Sequence, residues 1–101
     1  MTIDARCNPE RSPSHPGEII EDMLEGIDHS KTAIARMLGI SRQQLHAMIT
    51  GRKPVSQDMA ARLGKLFGNG PAFWLRLQAR YDAWHTEREI DVSDVPTLGA
   101  A

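Results

Sequence analysis

Apolar residues recur along the chain at helical rather than strand spacing. Ile19, Ile20, Met23, Leu24 and Ile27 fall on one helical stripe, and Ile34, Ala35 and Leu38 on a second. Leu45, Met48 and Ile49 form a third, and Met59, Ala60, Leu63, Leu66 and Phe67 a fourth. Phe73, Trp74, Leu77, Tyr81 and Trp84 mark a longer fifth. Start and stop residues divide these stripes into five helices. Pro16 opens the first, where a missing N–H costs nothing, with Glu18 against the positive helix end and Gly26 at the stop. Ser30 caps the second, which runs to Leu38 and ends at Gly39. Ser41 caps the third, with Gln44 three residues on as a capping-box partner, and Gly51 closes it. Ser56 caps the fourth, which stops before Gly68. Pro71 opens the fifth, which continues to about Glu89. The pattern predicts an all-α domain over residues 15–89, between an N-terminal tail (1–14) and a C-terminal tail (90–101).

Helices two and three are separated by little more than Gly39-Ile40. A bihelical DNA-binding unit crosses its helices steeply over such a turn. It needs a small residue where the helices approach (Ala35), a residue tolerant of positive φ at the corner (Gly39), and apolar anchors between them. Ile34, Leu38, Ile40, Leu45 and Met48 are those anchors. The exposed side of helix three then carries Arg42, Gln43, Gln44 and His46 near the end that enters a major groove. Arginine pairs bidentately with guanine and glutamine with adenine. Thr50, Arg52 and Lys53 follow at a place suited to phosphates. Lys31 and Thr32, beside free backbone N–H groups at the start of helix two, are suited likewise. The plainer alternative is that these residues are only the solvated faces of amphipathic helices.

Charge distribution favours the first reading. Net charge is −1, yet it is unevenly spread. Residues 1–29 hold seven acids and two bases (−5), residues 30–53 five bases and no acid (+5), and residues 54–101 six acids and five bases (−1). Fields are screened within about 8–10 Å, so a local +5 attracts phosphate whatever the total. The core is small: about 75 residues bury roughly 60% of their unfolded surface, which makes a partner subunit a reasonable expectation.

Other chemistries find little support. Cys7 is the single cysteine, so no internal disulfide or cysteine metal cluster is expected, and the reducing cytoplasm is the natural setting. No signal-peptide stretch or apolar run of membrane-spanning length is visible. His15, His29, His46 and His85 share no i,i+3 or i,i+4 pairing, so no metal site is expected. His15 is expected to cap or pack at the first helix. There is no phosphate-cradling glycine loop and no nucleophile motif, so neither an enzyme nor a cofactor is expected.

Two stretches narrow the role. His15-Pro16-Gly17-Glu18-Ile19-Ile20 opens the domain, and Ser56 to Lys65 leads to Pro71-Ala72-Phe73-Trp74-Leu75-Arg76-Leu77-Gln78, continued by Tyr81-Asp82 and Trp84. Over roughly residues 15–85 the chain resembles the HigA family of antitoxins, within the Xre/Cro-type (lambda repressor-like) helix-turn-helix regulators. The resemblance implies a homodimer that binds an inverted-repeat double-stranded DNA operator, represses its own operon, and neutralises a HigB toxin, a RelE-like enzyme that cuts mRNA. It implies base contacts by Arg42, Gln43, His46 and Ala47, with Ser41, Thr50, Arg52 and Lys53 on the backbone; Gln44, Lys31 and Thr32 join the backbone set from their positions. Ala47 stands where a polar reader is common, which leaves it a thymine methyl at most. The alternative is a stand-alone repressor without a toxin.

Two faces are left with two readings each. The acidic side of helix one, Glu18 through Glu21, Asp22 and Glu25 to Asp28, is either a solvated face or a dock for a basic toxin, centred on Glu21, Asp22 and Glu25. Phe73, Trp74 and Leu77 are expected in the core. Tyr81 and Trp84, further along helix five, are either a dimer seam or packed within the chain.

Overall fold

A computed structural model describes residues 11–99; Cys7 lies outside them. It contains helices α1 (Pro16–Glu25), α2 (Lys31–Leu38), α3 (Arg42–Ile49), α4 (Gln57–Phe67) and α5 (Pro71–Glu89), with no strand among the described residues. The fold is all-α, as the periodicity requires. Local chemistry sets the boundaries. The hydroxyls of Ser30, Ser41 and Ser56 accept from the backbone N–H of Ala33, Gln44 and Met59, satisfying donors that a helix start leaves open. Gly39 at the end of α2 has φ 77°, the left-handed conformation that a β-carbon disfavours.

The helices close around Ile20, Leu24, Ile34, Ala35, Leu38, Leu45, Met48, Val55, Ala60, Leu63 and Trp74, all buried. α4 and α5 form the broadest pairing, while α1 packs on α3 and α2 crosses α3. Two glycines permit the closest approaches. A β-carbon on Gly17 would collide with the carbonyl oxygens of Met48 and Ile49, so the start of α1 seats directly on the end of α3. One on Gly64 would strike the backbone of Gly70 and Pro71, where α5 begins.

One core expectation changes, and one core residue is added. Phe73 is 37% exposed, because the inward row of α5 is Trp74 and Gln78, one turn apart, and Phe73 lies a residue off that row. Its ring instead meets Trp74 edge-on at 5.1 Å. Val55, on the loop between α3 and α4, joins the core although no helical stripe marks it. Ile49, Met59, Leu66, Phe67 and Leu77 pack half-buried at its rim.

Candidate nucleic-acid interface

α3 stands at the surface with its polar side open. Leu45 and Met48 anchor it inward, while Ser41, Arg42, Gln43, Gln44, His46 and Thr50 are exposed and Ala47 is half-buried. Arg42, Gln43 and His46 line one concavity together with Arg52. Gln43 also borders a second, shared with Ser41, Gln44, Ala47 and Lys53. Gln43 is therefore the ridge between two hollows. The fold thus brings together four expected base readers, two cations and both cap residues. Lys31 and Thr32 lie apart from these hollows, at the start of α2.

The start of α3 is held by a reciprocal pair. The Gln44 N–H donates to Ser41 Oγ at 3.0 Å and the Ser41 N–H donates to Gln44 Oε1 at 2.8 Å. Gln44 is thereby left only its amide NH2 for a phosphate, and Ser41 only its hydroxyl hydrogen. The N–H groups of Arg42 and Gln43, at the first two helical positions, have no carbonyl four residues back within the helix, so they and the positive helix end suit an anion such as a phosphate.

The loop beyond α3 folds tightly back. The Ala47 carbonyl accepts from the N–H of Arg52 at 2.9 Å and of Lys53 at 3.1 Å, with Gly51 at φ 83° making the corner. Thr50 Oγ1 donates to the carbonyls of His46 and Ala47. In the DNA-free chain the exposed Thr50 hydroxyl thus closes the helix, and a phosphate contact through it would need that hydrogen to turn outward. Arg52 and Lys53 reach out from a braced loop through their side chains, since their N–H groups are already used.

That loop is fastened from behind. Gln78, buried on α5, accepts the Val55 N–H through Oε1 at 2.8 Å and donates through Nε2 to Asp82 at 2.9 Å. The corner between α2 and α3 is fastened by Arg62, whose guanidinium donates to the Leu38 carbonyl at 2.8 Å and to Asp58 at 2.9 Å. A cation there also suits the negative end of α2. Neither Arg62 nor Gln78 was given a role from the sequence, although both lie in the stretches that carry the family resemblance, and Asp58 and Arg62 stand at i,i+4.

His15 joins three elements. Its Nδ1 accepts the Gly17 N–H at 2.9 Å, capping α1. Its ring lies against Gly51 and meets Tyr81 edge-on at 4.8 Å. Burial holds its pKa below the ordinary histidine value, against the opposing pull of Glu18 and Asp82. Accepting at Nδ1 requires the neutral ring with its proton on Nε2.

Two pairs of residues assigned to partners also make contacts within the chain. Tyr81 is half-buried and its ring meets His15 within the chain, edge-on at 4.8 Å. Trp84 is half-buried, with the Arg88 guanidinium 3.8 Å above its ring. Glu21 and Lys31, assigned to a toxin and to DNA, meet each other at 3.1 Å across α1 and α2. The other carboxylate oxygen of Glu21 is shut off from solvent with no hydrogen-bond partner among the described residues. Of Glu21, Asp22 and Glu25, only Asp22 and Glu25 are left exposed and without a basic partner among the described residues. Among the described residues no cluster suited to a metal ion occurs, and no helix is long and apolar enough to cross a membrane.

Comparison with known proteins agrees with this geometry. Residues 20–75 match the helix-turn-helix model HTH_3. The chain is 41% identical to Virulence-associated protein A' of Dichelobacter nodosus over 71% of its own length and 64% of that protein's. It is 34% identical to the solved structure of a HigA-family addiction module antidote protein from Coxiella burnetii, covering 80% of this chain and 98% of that one, with TM-score 0.72. Antitoxin GraA, solved in complex with its operator, is 33% identical with TM-score 0.79, over 89% of this chain and 95% of that one. The chain belongs to the HTH_3 helix-turn-helix family and, within it, to the HigA-type antitoxins and DNA-binding regulators.

Proposed function

We propose that this protein is the antitoxin of a two-gene module, binding an inverted-repeat operator as a homodimer to repress its own operon and neutralising a HigB/RelE-like mRNA-cleaving toxin. The observation that carries the DNA half is the convergence of Arg42, Gln43, His46 and Arg52 around one open hollow on a helix whose other side is locked into the core. Base readout falls to Arg42, Gln43 and His46, with Ala47 offering a methyl. Phosphate contacts fall to Arg52, Lys53, Ser41, Gln44 and Thr32, with Lys31 contributing once its pairing with Glu21 is exchanged. A dimer sets two such helices about 34 Å apart, one turn of duplex. Operator binding by this chain would require a cytoplasmic setting.

The likeness to a HigA-family antidote protein supports the toxin half. Asp22 and Glu25, exposed and without a basic partner among the described residues, offer a basic toxin a complementary surface on α1. Co-expression with the product of the neighbouring reading frame, followed by pull-down and a growth assay, tests this half. Capture together with rescue of growth is the expected result. A neighbour that is neither toxic nor captured leaves a stand-alone repressor, the second reading. Gel-shift titration on the upstream region tests the DNA half separately.

A further inference from the structure

Four of the seven exposed large apolar residues among the described residues lie in the C-terminal segment after α5. Ile90, Val92, Val95 and Leu98 are 58, 60, 63 and 91% exposed, and between them stand two acids, Asp91 and Asp94, with no base. The segment has no regular secondary structure beyond one local turn, in which the Ser93 N–H donates to Asp91 and the Val95 N–H to the Val92 carbonyl. Among the described residues nothing covers these four side chains.

Elsewhere on the surface is a groove of matching character. Its apolar floor is Ile19 of α1 with Phe73 and Leu77 of α5, and Arg11 and Arg80 stand at its sides. Neither arginine has an ion-pair partner among the described residues. Phe73 is exposed there, at 37%, among the described residues.

We propose that residues 90–98 of one copy dock into this groove on a second copy, with Ile90, Val92 and Val95 on the Ile19–Phe73–Leu77 floor and Asp91 and Asp94 against Arg11 and Arg80. An apolar segment carrying only acids fits an apolar groove carrying only bases. Helix length favours a second copy over the segment's own groove. α5 has 19 residues and so spans about 28 Å, with the groove along its first half and the segment leaving its far end. Two α5 helices meeting antiparallel set the end of each beside the start of the other. Nine extended residues, about 30 Å at most, then reach along the groove without reversing. The inference rests on the dimer of the proposed function and adds the contact that closes it.

Charge exchange in the full-length chain tests it. One variant carries Asp91→Arg with Asp94→Arg, the other Arg11→Glu with Arg80→Glu. Circular dichroism verifies their folding, and analytical ultracentrifugation reads the dimer dissociation constant. Each variant alone is expected to dimerise at least about tenfold more weakly than wild type. An equimolar mixture should regain wild-type strength, because each tail then faces a groove of opposite charge on the other chain. Variants that dimerise as wild type does, or weakened variants that mixing fails to restore, overturn the docking. In either case a wild-type dimer that shifts the operator leaves the proposed function standing. A wild-type chain that stays monomeric with and without operator overturns both the docking and the dimer.

Discussion

The backbone N–H of Val55 donates to the buried side-chain oxygen of Gln78 at 2.8 Å, across 23 residues of sequence. This contact ties the loop that carries Arg52 and Lys53 to α5, the helix furthest along the chain from α3. It gives the C-terminal signature a physical meaning. Trp74 fills the core, Gln78 holds the loop, Asp82 holds the Gln78 amide, and Tyr81 meets His15. The stretch that resembles the antitoxin family is, in these four residues, a brace for the DNA-facing helix.

Replacing Gln78 with leucine keeps the volume but leaves the Val55 N–H buried without an acceptor. Such a loss costs about 1–3 kcal/mol, to be read from urea unfolding of the full chain. Operator binding should weaken beyond what residual unfolding explains, because Arg52 and Lys53 lose their fixed loop. An unchanged unfolding midpoint would show that the loop finds another partner.

Glycine at two positions is required for different reasons. Gly17→Ala forces a methyl into the main-chain oxygens of Met48 and Ile49, which cannot swing aside. Gly39→Val imposes φ 77° on a β-branched residue and presses on the Arg62 guanidinium, a flexible end that can move. Both variants should melt well below wild type. Adding Arg62→Ala should relieve none of the Gly17→Ala loss and leave the backbone strain of Gly39→Val in place. A native melting curve for either single variant contradicts the assigned geometry.

Much of the fold was legible because its cues are local. Ser30, Ser41 and Ser56 announce their helices within three residues, and the Gly39 corner lies between two clear stripes. The offset within Phe73-Trp74-Leu75 was not legible: three consecutive apolar residues do not reveal which one faces inward until α4 is in place. The contacts of His15 with Gly51 and Tyr81, and of Gln78 with Val55, were hidden for a related reason. Each joins elements that only the folded chain makes neighbours. The Glu21–Lys31 pair crosses between helices in the same way, so residues assigned to separate partners proved to be each other's.

His15 should make stability depend on pH. Its folded pKa lies below the unfolded value of 6.5 because burial penalises the charged ring. The unfolded chain therefore binds the proton more readily, and the stabilisation is complete above pH 6.5 and declines as the pH falls below it. Protonation at Nδ1 also removes the acceptor for the Gly17 N–H. Thermal melts between pH 7.5 and 5.5 should show the decline. His15→Asn caps without titrating, so it should be less stable overall but flatter across that interval. Parallel profiles for the two proteins would remove His15 as the cause.

Two cationic side chains on the DNA face should fail in different ways when truncated. Arg42, at the first position of α3 and lining the same hollow as Gln43 and His46, is assigned to a base edge. Lys53, exposed on the braced loop, is assigned to a phosphate. Arg42→Ala should cost about 1–3 kcal/mol on the cognate operator and relax preference at one base pair, with little change on random duplex. Lys53→Ala should weaken both duplexes about equally and reduce the slope of log K against log salt by about one. The salt titration separates the two roles even where the losses in affinity are alike, because counterion release follows the phosphate contact and not the base contact. If Arg42→Ala weakened specific and random DNA equally and flattened the slope, Arg42 would be a backbone contact, and the reading of sequence would pass to Gln43 and His46.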